Sequence, residues 1–258
     1  MSDNDYDPIG GHTKEEADAA YAELYRELHG EGAANEDIAN GPSAAQGMCG
    51  AGGGHREEIA VVGHIDPDTD SICSAIAYAR LKNVIDPDRE YIPYRAGTLD
   101  DETEYVLRKL GVALPELLAA KGIAEGYETE KGVSQSCGTK VILVDHNERM
   151  QIPGGVDFMH DVIEIIDHHR LGKAETAAPV YVRCQPCGAT CTIIYEMYSE
   201  NGIIPDTQTA GLLCAGIISD TNLFRSENTG HEDRLACAAL ANIAGLDIEA
   251  FAEEMPGR

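Results

Sequence analysis

Four short segments of the sequence end an apolar run with aspartate or histidine. "IAVVG" leads to His64, Asp68 and Asp70, with Asp66 among them. "VILV" leads to Asp145 and His146, "VIEII" to Asp167, His168 and His169, and "GLLCAGIIS" to Asp220. One such aspartate has an ordinary explanation: Asp70 could cap a helix starting at Ser71, and Asp68 could brace a turn begun by Pro67. Four coincident groups strain that explanation, because gathered carboxylates raise one another's pKa and stay ionised together only with cations between them. Four aspartates with two or three histidines form a ligand set for two hard-to-borderline divalent ions. Cysteine is absent from these positions, which argues against structural zinc. Two metals about 3.5–4 Å apart suit displacement at phosphorus.

The elements that must position these residues follow from the patterning. From Glu58 onward, strand-like and helix-like segments alternate. "TKVILVDH" and "VIEIIDHH" are near-continuous apolar runs, as central parallel strands are. "DSICSAIAYARLKN", "DDETEYVLRKLGV", "GATCTIIYEMYSENG", "DTQTAGLLCAGIISD", "EDRLACAALANIAG" and "DIEAFAEEM" read as helices. The alternation predicts an α/β fold, a doubly wound, mostly parallel sheet with helices on both faces. Its ligand site lies beyond the carboxyl ends of the strands.

Residues 1–55 read as an N-terminal extension. It has a helix over "HTKEEADAAYAELYRELHG", with Thr13 and Glu16 as a capping box, and then a Gly/Ala-rich linker. The run Gly52-Gly53-Gly54 precedes a strand, so it is not a phosphate loop. The domain proper is read as residues 56–258.

The chain has 258 residues and a formal charge of −26, which argues against nucleic acid or an anionic membrane as default partner. An anionic substrate then needs metal ions to reverse the local sign. No apolar run reaches membrane-spanning length and the start is polar and acidic, so the expectation is a cytoplasmic protein. Eight scattered cysteines do not make a disulfide framework. The densest group, Cys184, Cys187 and Cys191, reads as small buried residues at a strand–helix junction rather than a zinc or iron–sulfur site.

"GHIDPDTDSICSAIAYARL", "VILVDHNE", "IIDHHRLG" and "GIISDTNLF" resemble, in order and spacing, the motifs of the DHH phosphoesterase superfamily. The longer stretches are similar to family II, manganese-dependent inorganic pyrophosphatases, over roughly residues 58–255. This resemblance implies hydrolysis of pyrophosphate to two phosphates at a dinuclear centre, with Mn²⁺ as the metal and Co²⁺ or Mg²⁺ as alternatives. It implies that His64 and Asp68 bind a first ion and Asp70 a second, that Asp145 bridges both, and that His168 and Asp220 complete the second. His169 is implied to face the substrate phosphate and assist the leaving group, with Asp167 behind a ligand histidine. A homodimer is implied as well.

The resemblance has three departures. Ile65 and Asp66 replace a basic and an amide residue beside the first motif. "TNLFRSENT" carries Arg225 and Glu227 where the pyrophosphatase pattern has lysine and proline, a drift toward nanoRNase-like members. The basic second lobe of that family, with its "SRKKQ"-like motif, has no counterpart here. The stretch Ala120–Gly138 is too short for the nucleotide-binding insert of some members. The readings left open are another DHH phosphoesterase, acting on dinucleotides or polyphosphate, and a metal-binding lobe with little turnover.

Overall fold

A computed structural model of the chain describes residues 56–118, 139–152, 156–158 and 160–257. The N-terminal helix and linker expected over residues 1–55, and the short stretch 120–138, lie outside the described residues. The apolar run at the start of the domain forms β1 (Glu57–Val62), and strands then alternate with helices: α1 (Thr69–Ile85), β2 (Arg89–Arg95), α2 (Asp101–Leu110) and the two-residue β3 (Glu116–Leu117). β4 (Lys140–Val144), β5 (Val162–Asp167) and β6 (Tyr181–Cys184) follow. The chain continues through α3 (Thr190–Glu200), α4 (Thr207–Asp220), α5 (His231–Ala244) and α6 (Ile248–Glu254). All six strands are parallel, in the order β3-β2-β1-β4-β5-β6. β1 is central, and the order reverses beside it, between β1 and β4. That switch point opens a crevice at the carboxyl ends of the strands.

Alternate residues of β1 and β4 serve two cores, as the period of two requires. Ile59, Val61, Ile142 and Val144 join the described helices in the larger cluster. Ala60, Val62, Val141 and Leu143 enter the cluster on the opposite face, with Leu118, Ile152 and Phe158. β5 breaks this phase. Val141 pairs with Val162 but Ile142 pairs with Glu164, so Ile163 is an extra, bulged residue. Glu164, placed on the helical side by the bulge, accepts from Tyr78 Oη and Lys82 Nζ of α1, each at 2.7 Å.

The helix starts are chemically specified. Asp68, Asp100, Asp206 and Asp247 are the N-caps of α1, α2, α4 and α6, each accepting a backbone N–H with its side chain. α1 therefore starts two residues earlier than Asp70 capping at Ser71 would require. Asp70 lies inside the first turn, free for another task. Asp220 is likewise the last residue of α4 rather than a residue beyond it. Among the described residues no single helix is long and apolar enough to cross a membrane.

Candidate metal centre

The crevice at the switch point collects the four segments. His64 follows β1 through Gly63, and its Nδ1 bonds Ile65 O at 2.8 Å. That carbonyl can only accept, so Nδ1–H is committed to it and Nε2 is the nitrogen that faces the crevice. Nε2 lies 3.6 Å from Asp68 Oδ2 and 3.5 Å from Asp145 Oδ2. Asp68 divides its two oxygens, since Oδ1 caps α1 through Ser71 N at 2.9 Å.

Asp145 leaves β4 in the left-handed region, with φ 63°. Aspartate tolerates that conformation better than most residues, yet it still costs of order 1–3 kcal/mol. The turn points one oxygen each way. Oδ2 faces His64, while Oδ1 lies 3.4 Å from His168 Nε2. His168, just past β5, donates Nδ1–H to Cys187 O at 3.0 Å, so its Nε2 is the nitrogen turned into the cage. Asp220 Oδ2 stands 3.1 Å from that nitrogen.

Asp70 completes the group from α1. It is fully buried, and the first turn of α3 holds it: Thr190 N donates to Oδ2 at 2.7 Å and Cys191 N to Oδ1 at 3.0 Å. A helix N-terminus stabilises an anion there. α4 comes close enough to forbid a side chain at Gly216, where a Cβ would lie 2.7 Å from Asp70 Oδ1 and 2.4 Å from Cys191 Sγ.

Among the described residues, three sets bring their ligand atoms within 4.8 Å of one another: His64, Asp68 and Asp145; Asp70, His168 and Asp220; and Asp145, His168 and His169. None includes a cysteine. Of the cysteines flagged in the sequence, Cys187 and Cys191 are buried and Cys184 half-buried at the β6–α3 junction, all as free thiols. The donor set fits divalent cations on its own chemistry. His168 Nε2 is buried and makes no well-aligned hydrogen bond, although two carboxylates lie within 3.5 Å.

The electrostatics carry the same message. Burial opposes charge on His64, but hydrogen bonding to Asp145 and Asp68 overrides it and pushes the imidazole up to about 11. His168, opposed by burial in the same way, is driven up to about 12 by Asp145 and Asp220. Asp145 is held below the usual carboxylate range: burial works against ionisation, and the two imidazoles outweigh it. Burial and the Asp145 and Asp220 charges raise Asp70. Without metal, protons supply the positive charge this cage needs, so metal entry must displace them.

His169 belongs to the third set only. Its Nδ1 donates to Asp167 Oδ1 at 2.9 Å, and its side chain is half-exposed. Asp167 is fully buried, receives the amide of Asn147 on its other oxygen, and is held below its ordinary pKa despite burial by the donors His169 and Asn147. His146 lies close by without joining any of the three sets. Its Nδ1 bonds Val144 O at 2.9 Å, and burial pulls its pKa down to about 4. Asp66 is exposed and also outside the sets.

Of the residues behind the ligands, the sequence reading named Asp167 alone, which holds His169 and not His168, whose Nδ1 rests on Cys187 O. Thr190 Oγ1 donates to Asp145 Oδ1 at 2.9 Å. Asn147 Oδ1 accepts from Gly172 N at 2.6 Å and its amide donates to Arg170 O at 2.9 Å, tying the loop after His169 to β4. Asn147 was visible inside "VDHNE", directly after two site residues. Nothing in the sequence marked Thr190.

A parallel α/β sheet here gathers carboxylates and imidazoles around Asp145, a donor set suited to divalent cations. The sequence pattern of the DHH family, N-terminal domain, matches residues 58–217, and the chain belongs to that family. It is 42% identical over 198 residues to a protein of Bacillus licheniformis named as a manganese-dependent inorganic pyrophosphatase, covering 77% of this chain and 59% of that protein. A relative from Clostridium acetobutylicum with the same name is 42% identical over 197 residues, covering 76% and 58%. Among solved structures, a family II inorganic pyrophosphatase of Methanococcus jannaschii matches with TM-score 0.61 and 38% identity, over 76% of this chain and 60% of that one. An exopolyphosphatase-related protein of Bacteroides fragilis, at 17% identity and TM-score 0.55, shares the fold. The chain spans about 59% of the length of the curated relatives it matches.

Proposed function

We propose that this protein hydrolyses inorganic pyrophosphate to two phosphates with two divalent ions, Mn²⁺ foremost. The observation that carries this reading is Asp145, whose two oxygens face His64 on one side and His168 on the other. The names of the relatives support the substrate. In this reading His64, Asp68 and Asp145 hold one ion, and Asp70, Asp145, His168 and Asp220 the other. When bound, such ions acidify water and neutralise phosphoryl oxygens. The chain's own residues do the rest. Cys187 O and Ile65 O fix the imidazole tautomers. Asp167 holds His169 by Nδ1 and thereby aims Nε2 outward, where it donates a proton or hydrogen bond to the departing phosphate. The raised His169 pKa, caused first by Asp167, suits a donor.

The test is phosphate release from pyrophosphate by this chain with Mn²⁺ or with chelator, beside a dinucleotide. Mn²⁺-dependent release is expected. The Mn²⁺ needed for half-maximal rate should fall as pH rises from 6 to 8, because His64 and His168 must lose protons to act as ligands. Cleavage of the dinucleotide alone, or two bound ions with no release from either compound, would remove the pyrophosphatase reading.

In the same reading, residues 56–258 act as one domain preceded by the extension 1–55, and the protein works in the cytoplasm as a homodimer. Strand β6 supports the dimer: it is a sheet edge with Tyr181 and Val182 exposed, a surface that invites pairing. Native mass measurement of the chain from a reduced cytosolic extract should give twice the chain mass. A monomer, or recovery from membranes only, would count against this arrangement.

A further inference from the structure

Asp233 lies in the first turn of α5, is fully buried, and belongs to none of the donor sets. Its carboxylate accepts three hydrogen bonds: from Gly230 N at 2.7 Å, Gly188 N at 2.8 Å and Thr192 Oγ1 at 2.7 Å. The bond from Gly230 is an ordinary helix-start contact. The other two are not, since they reach residues 45 and 41 positions away.

Those two donors bracket the segment Cys187–Thr192, which shapes much of the metal centre. Cys187 O fixes the tautomer of His168. Thr190 N and Cys191 N hold the two oxygens of Asp70. Gly188 is wedged as well: a Cβ there would lie 2.6 Å from Thr221 Cγ2 and 2.7 Å from Asp233 Oδ2, and Thr221 directly follows Asp220. Asp70 and His168 therefore lean directly on a segment that Asp233 grips near both ends, and Asp220 is linked to it through His168 and through its neighbour Thr221, which closes on Gly188. The His64–Asp68 side does not lean on it. His64 rests on Ile65 O, and Asp68 on Ser71 N. Asp145 touches the segment through Thr190 but has its own anchor, Asp145 N to Ile166 O at 2.9 Å.

We propose that Asp233 is a positioning residue for one of the two ions only, the ion of Asp70, His168 and Asp220. This rests on the two-ion reading above. The grip draws on the charge of the carboxylate, since hydrogen bonds to an ionised acceptor are about twice as strong as those to a neutral one. An asparagine of the same shape can turn its NH₂ to the Thr192 hydroxyl and its oxygen to the two backbone N–H groups, but it holds them only as a neutral amide.

The test is Mn²⁺ stoichiometry and affinity by equilibrium dialysis, with circular dichroism on the same samples, for wild type, Asp233→Asn, Thr192→Val and Asp220→Asn. The last removes a ligand directly and marks which binding step belongs to this ion. In Asp233→Asn that step should weaken 10–100-fold, the range seen for outer partners of metal ligands. The other step should keep its wild-type affinity. Thr192→Val should weaken the same step by less. Two unchanged ions, or equal weakening of both, would overturn the assignment. If Asp233→Asn does not fold, Thr192→Val decides: weakening confined to the marked step supports the grip, and any other result ends it. A wild type that binds fewer than two ions overturns the two-ion reading and the grip with it. Two ions in wild type with no selective loss overturns the grip alone.

Discussion

Replacing Asp145 by alanine is expected to abolish binding of both ions and, with it, phosphate release. No other site residue faces donors on both sides, with Oδ2 3.5 Å from His64 Nε2 and Oδ1 3.4 Å from His168 Nε2. The loss of Mn²⁺ affinity should exceed about 100-fold for each ion, above the range for outer partners. The metal-free chain gives a second readout. Asp145 is the buried anion between two imidazolium groups, and breaking such a pair costs about 3–5 kcal/mol. The sign of its pH dependence follows from His64. Its pKa in the folded chain is raised to about 11 from an ordinary 6.5, so the stability it contributes is fully present below 6.5 and is lost as pH rises toward 11. The destabilisation of metal-free Asp145→Ala should therefore be largest near pH 6 and shrink above pH 10, as read by urea unfolding. A variant that keeps two ions and full turnover would show that Asp145 does not bridge them.

Changing His169 to glutamine should leave both ions in place and lower turnover about 10²–10⁴-fold, the usual worth of a positioned proton donor. Geometry separates it from its neighbour. His168 Nδ1 rests on a backbone carbonyl and its Nε2 is buried in the cage, whereas His169 commits Nδ1 to Asp167 and is half-exposed. Glutamine can still donate a hydrogen bond but cannot yield a proton, so the rate falls more than substrate affinity. Metal analysis decides the alternative. His169 does lie within reach of Asp145 and His168, with Nδ1 3.7 Å from Asp145 Oδ1. Loss of an ion from His169→Gln would make it a ligand and exchange the two histidine roles.

Much of this arrangement was legible in the residues themselves. The helix starts, the apolar strands and the acidic or imidazole residue at each strand tip are local features, and the chain keeps them close to where the pattern placed them. The dull explanation of Asp68 was half right, because one oxygen caps α1 while the other faces His64. For Asp70 it was not, because Asp68 already fills the cap. Strand β6 was visible only as a junction before a helix. It is four residues long, lies at the sheet edge and lacks the continuous apolar run that buried strands need.

The sequence by itself determined which side chains could ligate, and that they would meet beyond one edge of a parallel sheet. Residue type and strand period are properties of short windows. Only the tertiary structure decided which oxygen faces which imidazole, how the bulge at Ile163 re-phases β5, and what holds the cage from behind. Asp70 meets the backbone of Thr190 across 120 residues, and Asp233 meets Gly188 across 45. Such partners are backbone N–H groups, which nearly every residue carries alike. No residue identity announces them, and only the packing of α3, α4 and α5 brings them to the site.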